Sequence, residues 1–247
     1  MKLKSIDINC DVGEGIGNES RLFPLISSCN IACGGHAGTK KTILEIALLA
    51  KKNNVKVGAH PSYPDKNNFG RVVLDMSKKE LCESIKYQLK TFQQVISLKG
   101  VKIHHIKPHG ALYNQIAIDI EVADTFLKAI SQYKDKVFLY VPYNSVIERE
   151  AKKKGFKIIY EAFCDRNYNN DLTLVSRSKN KALITRPKAV LDHVLQMLKK
   201  QTVKTISGES RKIFADTFCI HGDSTNAIEI LTYLSTELPK NGIRISK

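Results

Sequence analysis

Val101-Lys102-Ile103-His104-His105-Ile106 runs directly into Lys107-Pro108-His109-Gly110-Ala111-Leu112-Tyr113-Asn114, and this junction decides the architecture. A β-type run stops at a Pro/Gly pair that cannot continue regular structure, and the stop carries two ionisable groups. On a strand, residues two apart share a face, so Lys107 and His109 point together into the space that opens where the strand ends. A single polar strand end is ordinary, because loops are polar in general. Three other hydrophobic runs, however, end the same way, at His36, His60 and His221. Repetition of this kind marks strand ends gathered around one site.

Working outward from residues 101–114, β-type runs alternate with helical patterns along the whole chain. The strand and helix pairs are 6–10 with 19–26, 29–33 with 39–52, 55–59 with 77–98, 101–106 with 121–133, 137–141 with 145–154, 156–160 with 186–200, and 213–220 with 224–238. The helices carry their own signatures. Ser77 and Glu80 form a capping box, after which Leu81, Ile85, Leu89, Phe92 and Ile96 recur at three- and four-residue spacing. In the last helix Ile228, Leu231 and Leu234 recur likewise, and Pro239 is expected to stop it. The run 213–220 is apolar without clean alternation, as in a parallel strand covered on both faces.

Seven such units imply a parallel sheet, either closed or open and doubly wound. No G-x-G-x-x-G follows the first strand and no Walker loop is present, so nothing marks a dinucleotide crevice or a phosphate loop. A seven-stranded parallel (β/α) barrel, TIM-barrel-like, is the expected fold, as one domain over residues 1–247. Barrels carry their working residues at the C-terminal ends of the strands, where this sequence places its histidines and acids. Two long connections, 61–76 and 162–185, have the length of loops that cover a site.

Composition narrows the function. Hydrophobic residues make up 43% of the 247, enough for a buried core, and no apolar run reaches the roughly 20 residues that cross a bilayer. Asp7 interrupts the N-terminus before any long apolar stretch, so no signal peptide is read and the cytoplasm is expected. Six cysteines lie in or beside apolar segments without a CxxC framework, which suits a reducing compartment. Cys29, Cys33 and His36 approach a metal spacing, but four residues of strand span roughly 13 Å, so the two cysteines cannot share an ion. The net charge of +15 is spread over scattered lysines without aromatic platforms, so a nucleic-acid partner is not expected.

The chemistry lies at the strand ends. Asp7, Asn9 and Asp11 share one face of the first strand, with Glu14 just beyond it. Paired carboxylates split their pKa values, which leaves one to act as a base near neutral pH and the other to hold charge; equally, Asp7 or Asp11 could cap a turn. Glycines beside His36 and His60 let the backbone leave its strand sharply. His105 and His109 stand four apart on a strand, again roughly 13 Å, and should not share an ion. His104 is expected to face the helices, and His193 to be structural or exposed. Asp223 or Ser224 can cap the last helix, which leaves His221 at the mouth.

These blocks together resemble the LamB/YcsF family, whose characterised members are the A subunits of 5-oxoprolinase. The resemblance spans nearly the whole chain and implies a barrel of the glycoside hydrolase/deacetylase type. It rests on Asp7-x-Asn9-x-Asp11-x-Gly13-Glu14, Asn30-Ile31-Ala32-Cys33-Gly34 with His36-Ala37-Gly38, and Gly58-Ala59-His60-Pro61 continuing to Asp65. Further matches are Asn68-Phe69-Gly70-Arg71, Lys107-Pro108-His109-Gly110, Asp165-Arg166 with Tyr168, Leu174-Val175 with Arg177-Ser178, and His221-Gly222-Asp223. Gly35, Cys164, Leu172, Ser176 and Lys181 depart from the family's usual residues, all near the pocket rim.

The resemblance implies ATP-dependent hydrolytic opening of 5-oxo-L-proline to L-glutamate together with subunits B and C. Those partners would use ATP to activate the lactam carbonyl, and this chain, lacking a nucleotide loop, would open the ring with water. Amide hydrolysis needs a base, donors at the developing oxyanion and an acid for nitrogen. Asp11 is then the expected base with Asp7 in support; Lys107 and His109 the oxyanion donors; His36, His60 and His221 the positioning or proton-donating groups. Asn9 and Asp223 join them in substrate binding, and Arg71 or Arg177 would pair with the substrate carboxylate. The alternatives are a metal-dependent carbohydrate deacetylase with Asp11, His36 and His60 as ligands, and a non-catalytic subunit of the complex.

Overall fold

A computed structural model describes residues 4–222 and 226–247. Its elements in chain order are β1 (Lys4–Val12), α1 (Glu19–Leu22), β2 (Ser28–Ala32), α2 (Lys40–Lys52), β3 (Lys56–His60) and α3 (Lys78–Ser97). They continue with β4 (His105–Ile106), α4 (Gly110–Ile116), α5 (Ile120–Ala129), β5 (Phe138–Pro142), α6 (Val146–Lys153), β6 (Ile158–Phe163) and α7 (Pro187–Lys200). The chain finishes with β7 (Thr202–Lys204), β8 (Ser210–Lys212), β9 (Thr217–His221), α8 (Ala227–Lys240) and β10 (Ile243–Ile245).

Strands β1 to β6 and β9 pair in parallel, in that order, and β9 pairs back onto β1 to close a seven-stranded barrel. Closure is in register from Asp7 opposite Thr217 to Asp11 opposite His221. Alternation along β1 explains the two layers. Ile6, Ile8 and Cys10 join one continuous apolar cluster with residues of the outer helices, such as Leu22 and Ile230. Asn9 and Asp11 cross the interior instead. The Ser77 and Glu80 capping box starts α3 as expected, and Leu81, Ile85, Leu89, Phe92 and Ile96 are all buried. No described helix is long and apolar enough to cross a membrane.

The differences from the sequence reading have local causes. The fourth strand shrinks to two ladder residues, although His104 still donates its N–H to Val57 and accepts from Phe138. The sixth strand lies later than expected and so places Glu161 on the barrel wall. Residues 202–212, expected to be a connection into the seventh strand, form the antiparallel hairpin β7–β8. β10 lies outside the barrel, parallel to the start of β1. Pro239 does not stop the last helix; it sits in the final turn of α8, which ends at Asn241 before Gly242 takes a φ of 78°.

One glycine is required by the interior. Gly58 on β3 faces the His105 ring, and any Cβ there would overlap it. His105 has nowhere to go, because it bonds Asn30 Oδ1 at 2.6 Å and stacks on Tyr140 at 3.9 Å between ring centres. That buried stack forms the floor beneath the mouth.

Candidate active site

Lys107 organises the mouth. It leaves the end of β4 with only 2% of its surface exposed. Its ammonium lies 2.9 Å from Asp11 Oδ1, 3.0 Å from Glu161 Oε1 and 3.0 Å from Cys219 Sγ. Burial alone would pull the Lys107 ammonium down, but the carboxylates around it hold it well above the ordinary lysine value. Burial likewise works against the Asp11 carboxylate, yet His60 and Lys107 keep it well below the usual carboxylate range. Both groups are therefore charged at neutral pH. Asn30 Nδ2 donates to Asp11 Oδ1 and to Asn9 Oδ1, both at 2.7 Å, and Asn9 Nδ2 donates to Glu161 Oε1 at 3.0 Å. The amides thus tie the two carboxylates into one network.

Beside Asp11 the glycine-flanked histidines converge. His60 Nε2 lies 3.4 Å from Asp11 Oδ2 and 3.0 Å from His109 Nδ1. Glu14 Oε1 lies 2.9 Å from His36 Nε2 and 3.3 Å from His109 Nδ1. Burial is the main reason the His36 and His109 imidazoles are held below the ordinary histidine value, and so neutral. The outer nitrogens of His60 and His109 face backbone carbonyls, Lys107 at 2.7 Å and Phe69 at 2.9 Å. A carbonyl only accepts, so each outer nitrogen carries an N–H, and the neutral His109 has no other to offer. This removes His109 from the expected oxyanion donors.

Across the mouth, at the end of β9, His221 meets Asp165. The ring Nδ1 lies 3.0 Å from each Asp165 carboxylate oxygen, and the His221 backbone N–H donates to Oδ2 at 3.1 Å. Nδ1 therefore carries the proton, which leaves Nε2 for a substrate. Although burial would raise the Asp165 carboxyl, His221 holds it below its ordinary value.

Asp11, Glu14, His60, Lys107, Glu161 and His221 line one cavity of about 790 Å³. Arg71, Arg166 and Arg177 line it too. Arg166 is buried, and its guanidinium drops to about 10 through burial first and the neighbouring Arg177 second. Its Nη2 donates to the Val175 carbonyl at 2.6 Å, whereas Nε is buried without a hydrogen-bond partner.

The structure moves several expected residues. Asp7 does not line the cavity; it sits toward the opposite end of β1, where Oδ1 accepts from Ser28 and Thr217, both at 2.7 Å, and Oδ2 meets Lys56 at 3.1 Å. Glu161 takes the place expected for Asp7, beside Asp11 and Lys107. His36 lies behind the cavity wall against Glu14. Asp223 is outside the described residues. The expected ligand set of Asp11, His36 and His60 is not the one assembled: His36 gathers with Glu14, His60 and His109. Asp11, Cys219 and His221 form a second cluster, but the Lys107 ammonium already supplies its cation. His105 stays apart in the floor, and the half-buried His104 lies against His105 and Phe138. The sequence reading gave Glu161, Asp165 and Arg166 no role. Glu161 and Asp165 obey the same strand-end rule as the histidines and were detectable by it.

Relatives of this chain carry informative names. It is similar to the 5-oxoprolinase A subunit of Staphylococcus epidermidis, 40% identical over 99% of both chains. It is similar to the 5-oxoprolinase A subunit of Thermococcus sibiricus, 40% identical over 97% of this chain and 96% of the other. Among solved structures, the lactam utilization protein of Thermus thermophilus superposes with a TM-score of 0.90 at 35% identity, covering 98% of each chain. An uncharacterised Agrobacterium tumefaciens protein, 9% identical over 99% of this chain and 87% of its own with a TM-score of 0.56, shares the fold alone. The LamB/YcsF family model matches residues 6–247, and the chain belongs to the LamB/YcsF family.

Proposed function

We propose that this chain is the ring-opening subunit of an ATP-dependent 5-oxoprolinase, which hydrolyses 5-oxo-L-proline to L-glutamate together with subunits B and C. The observation that carries the reading is the buried Asp11–Lys107–Glu161 network facing the His221–Asp165 pair across one cavity. This is what opening an unreactive amide needs: a base beside a fixed positive charge on one side, and a proton donor for nitrogen on the other. The names of the relatives supply the substrate class.

Asp11 Oδ1 is occupied by Lys107 and Asn30, so Oδ2, facing His60 Nε2, is the oxygen that takes a proton from water. The water oxygen bonds to the lactam carbonyl carbon, and charge on the carbonyl oxygen develops toward the Lys107 ammonium. As the C–N bond breaks, the ring nitrogen takes a proton from His221, with Asp165 stabilising the imidazolium form before transfer. The products are a γ-carboxylate and a primary amine. Arg71 or Arg177, both lining the cavity and the latter next to Arg166, binds the substrate carboxylate. ATP is consumed by the partners to activate the carbonyl, since this chain has no nucleotide loop.

The test is glutamate formation from 5-oxo-L-proline and ATP by this chain alone, by subunits B and C alone, and by the mixture. Glutamate only in the mixture supports the reading. No glutamate in a mixture whose B and C subunits work with the A subunit of another 5-oxoprolinase refutes it.

A further inference from the structure

Two imidazole nitrogens and two carboxylate oxygens meet at one point of the mouth. His60 Nδ1 donates to the Lys107 carbonyl at 2.7 Å and His109 Nε2 donates to the Phe69 carbonyl at 2.9 Å. Each ring therefore commits its outer N–H to a carbonyl and turns its other nitrogen inward, His60 Nε2 and His109 Nδ1, and these lie only 3.0 Å apart. Glu14 Oε1 stands 3.3 Å from His109 Nδ1 and 4.0 Å from His60 Nε2, while Asp11 Oδ2 stands 3.4 Å from His60 Nε2. All are buried or nearly so. Acceptors this close repel one another unless a cation sits among them.

The loop that fixes His109 is held under strain. Phe69 adopts a φ of 55°, in the left-handed region that a side chain of this kind rarely occupies. Gly70 follows at 62°, so tightly packed that a Cβ would come within 2.9 Å of His36 Cβ and 3.1 Å of His109 Cδ2. The strained turn aims the Phe69 carbonyl at His109 Nε2. Outward N–H bonds to backbone carbonyls are how metal-ligating histidines are oriented.

We propose that Glu14, His60 and His109 form a binding site for a divalent transition metal of zinc's class. Around a tetrahedral zinc with bonds of about 2.0–2.1 Å, donor atoms sit roughly 3.3 Å apart. Separations of 3.0, 3.3 and 4.0 Å approach three edges of that shape after small side-chain shifts. The donor set of two imidazoles and a carboxylate suits a borderline ion. His36 belongs to a supporting layer. Its ring lies parallel to His109 at 2° with ring centres 3.6 Å apart, so one ion cannot lie in both ring planes. It orients Glu14 instead through the 2.9 Å contact. The fourth coordination position opens into the cavity, which His60, His109 and Glu14 all line. The site is read from donor geometry and stands whether or not the ring-opening assignment holds.

The experiment uses the full chain in two steps. Metal content is measured on protein purified without chelator, and chelator-treated protein is then titrated with Co(II), whose ligand-field absorption in a tetrahedral site is visible, and with Zn(II) in competition. The wild-type chain should bind one ion with that band. His60→Ala and His109→Ala should lose the band and weaken binding by more than about 100-fold, whereas His36→Gln should keep it and lose about 10–100-fold in affinity. If an alanine variant fails to fold by circular dichroism, His109→Gln and Glu14→Gln replace it. Refusal of both ions by the wild-type chain overturns the site and leaves a shared proton as its cation. Equal binding by the His60 and His109 variants overturns the ligand assignment, and loss of the band in His36→Gln overturns the supporting role of His36. None of these readouts uses turnover.

Discussion

Replacing Lys107 with methionine removes the ammonium that lies between two buried carboxylates. The side chain is about the same length and apolar, so the cost is electrostatic. Lys107, Asp11 and Glu161 are 3%, 7% and 0% exposed at their side chains, with contacts of 2.9 and 3.0 Å. Breaking a buried pair by removing one partner costs about 3–5 kcal/mol. For a chain of this size that is a fall in Tm of about 6–20 °C. The pH dependence carries the sharper test. The folded Asp11 carboxyl lies below its unfolded value, so its contribution is full above a pH of about 4 and is lost as pH falls through the folded value. Lys107 lies above its unfolded value, so its contribution is full below a pH of about 10 and is lost as pH rises through the folded value. Without the lysine, Asp11 and Glu161 repel each other in a dry site, and their shared pKa rises above the unfolded value. A proton then repairs the variant. The Tm deficit of Lys107→Met against wild type should be large at a pH of about 7.5 and shrink at about 5.5, while histidine effects common to both proteins cancel. Melts followed by circular dichroism at the two pH values decide it. A deficit below about 3 °C at the higher pH, or one that does not shrink on acidification, refutes the account of the cluster.

Asp165→Asn should leave the melt within a few degrees of wild type but cut glutamate formation in the reconstituted mixture about 100- to 10,000-fold, because the amide no longer fixes the His221 proton on Nδ1. Asp11→Asn should cost at least about 100-fold in the same assay, and near-normal turnover would exclude Asp11 as the base. Gly58→Ala drives a methyl group into the fixed His105 ring and should cost about 3 kcal/mol or more, read as poor folding or a Tm lower by at least about 6 °C. His193 is buried and its imidazole drops to about 4, chiefly by burial, against an unfolded value of about 6.5. The unfolded chain therefore takes up the proton first, and the protein loses stability as pH falls from about 6.5 toward 4. His193→Gln should flatten that part of the stability profile, and an unchanged slope would contradict the burial argument.

The barrel was legible because parallel strands covered on both faces announce themselves as apolar runs, and because helices such as α3 carry both a cap and a stripe. The hairpin β7–β8 was not, because Ser210, Arg211 and Lys212 are exposed polar residues with no strand pattern, held by a partner strand only a few residues away. For the site, the sharing of a face by Lys107 and His109 and the recurrence of strand-end histidines pointed to the end of the barrel that holds the cavity. The misplacement of Asp7 came from applying alternation without length. Asp7 and Asp11 do share a face of β1, but four residues of strand separate them by roughly 13 Å, the same span that kept His105 from joining His109. Glu161 follows the run 156–160 as His60 follows 55–59, so the same strand-end rule reaches it once the rule is extended from histidines to acids. The neutral forms of His36 and His109 have no local sequence signal, since they depend on burial by loops distant in sequence.

The seam between β1 and β9 joins the beginning of the chain to its end, pairing Asp7 with Thr217 and Asp11 with His221. During synthesis the polypeptide emerges from its N-terminus, so β1 waits with one side unpaired until β9 has emerged, Thr217 following Asp7 by 210 residues. Until then Asn9 and Asp7 lack the Thr217 hydroxyl and Asp165 lacks the His221 imidazole. A nascent chain thus carries an open sheet edge and polar groups without partners until β9 is made, a condition that invites chaperone binding. The same late arrival couples completion of the mouth to completion of the wall. A ribosome that stalls before β9 releases a chain that is both unclosed and unable to assemble its acid–base pair.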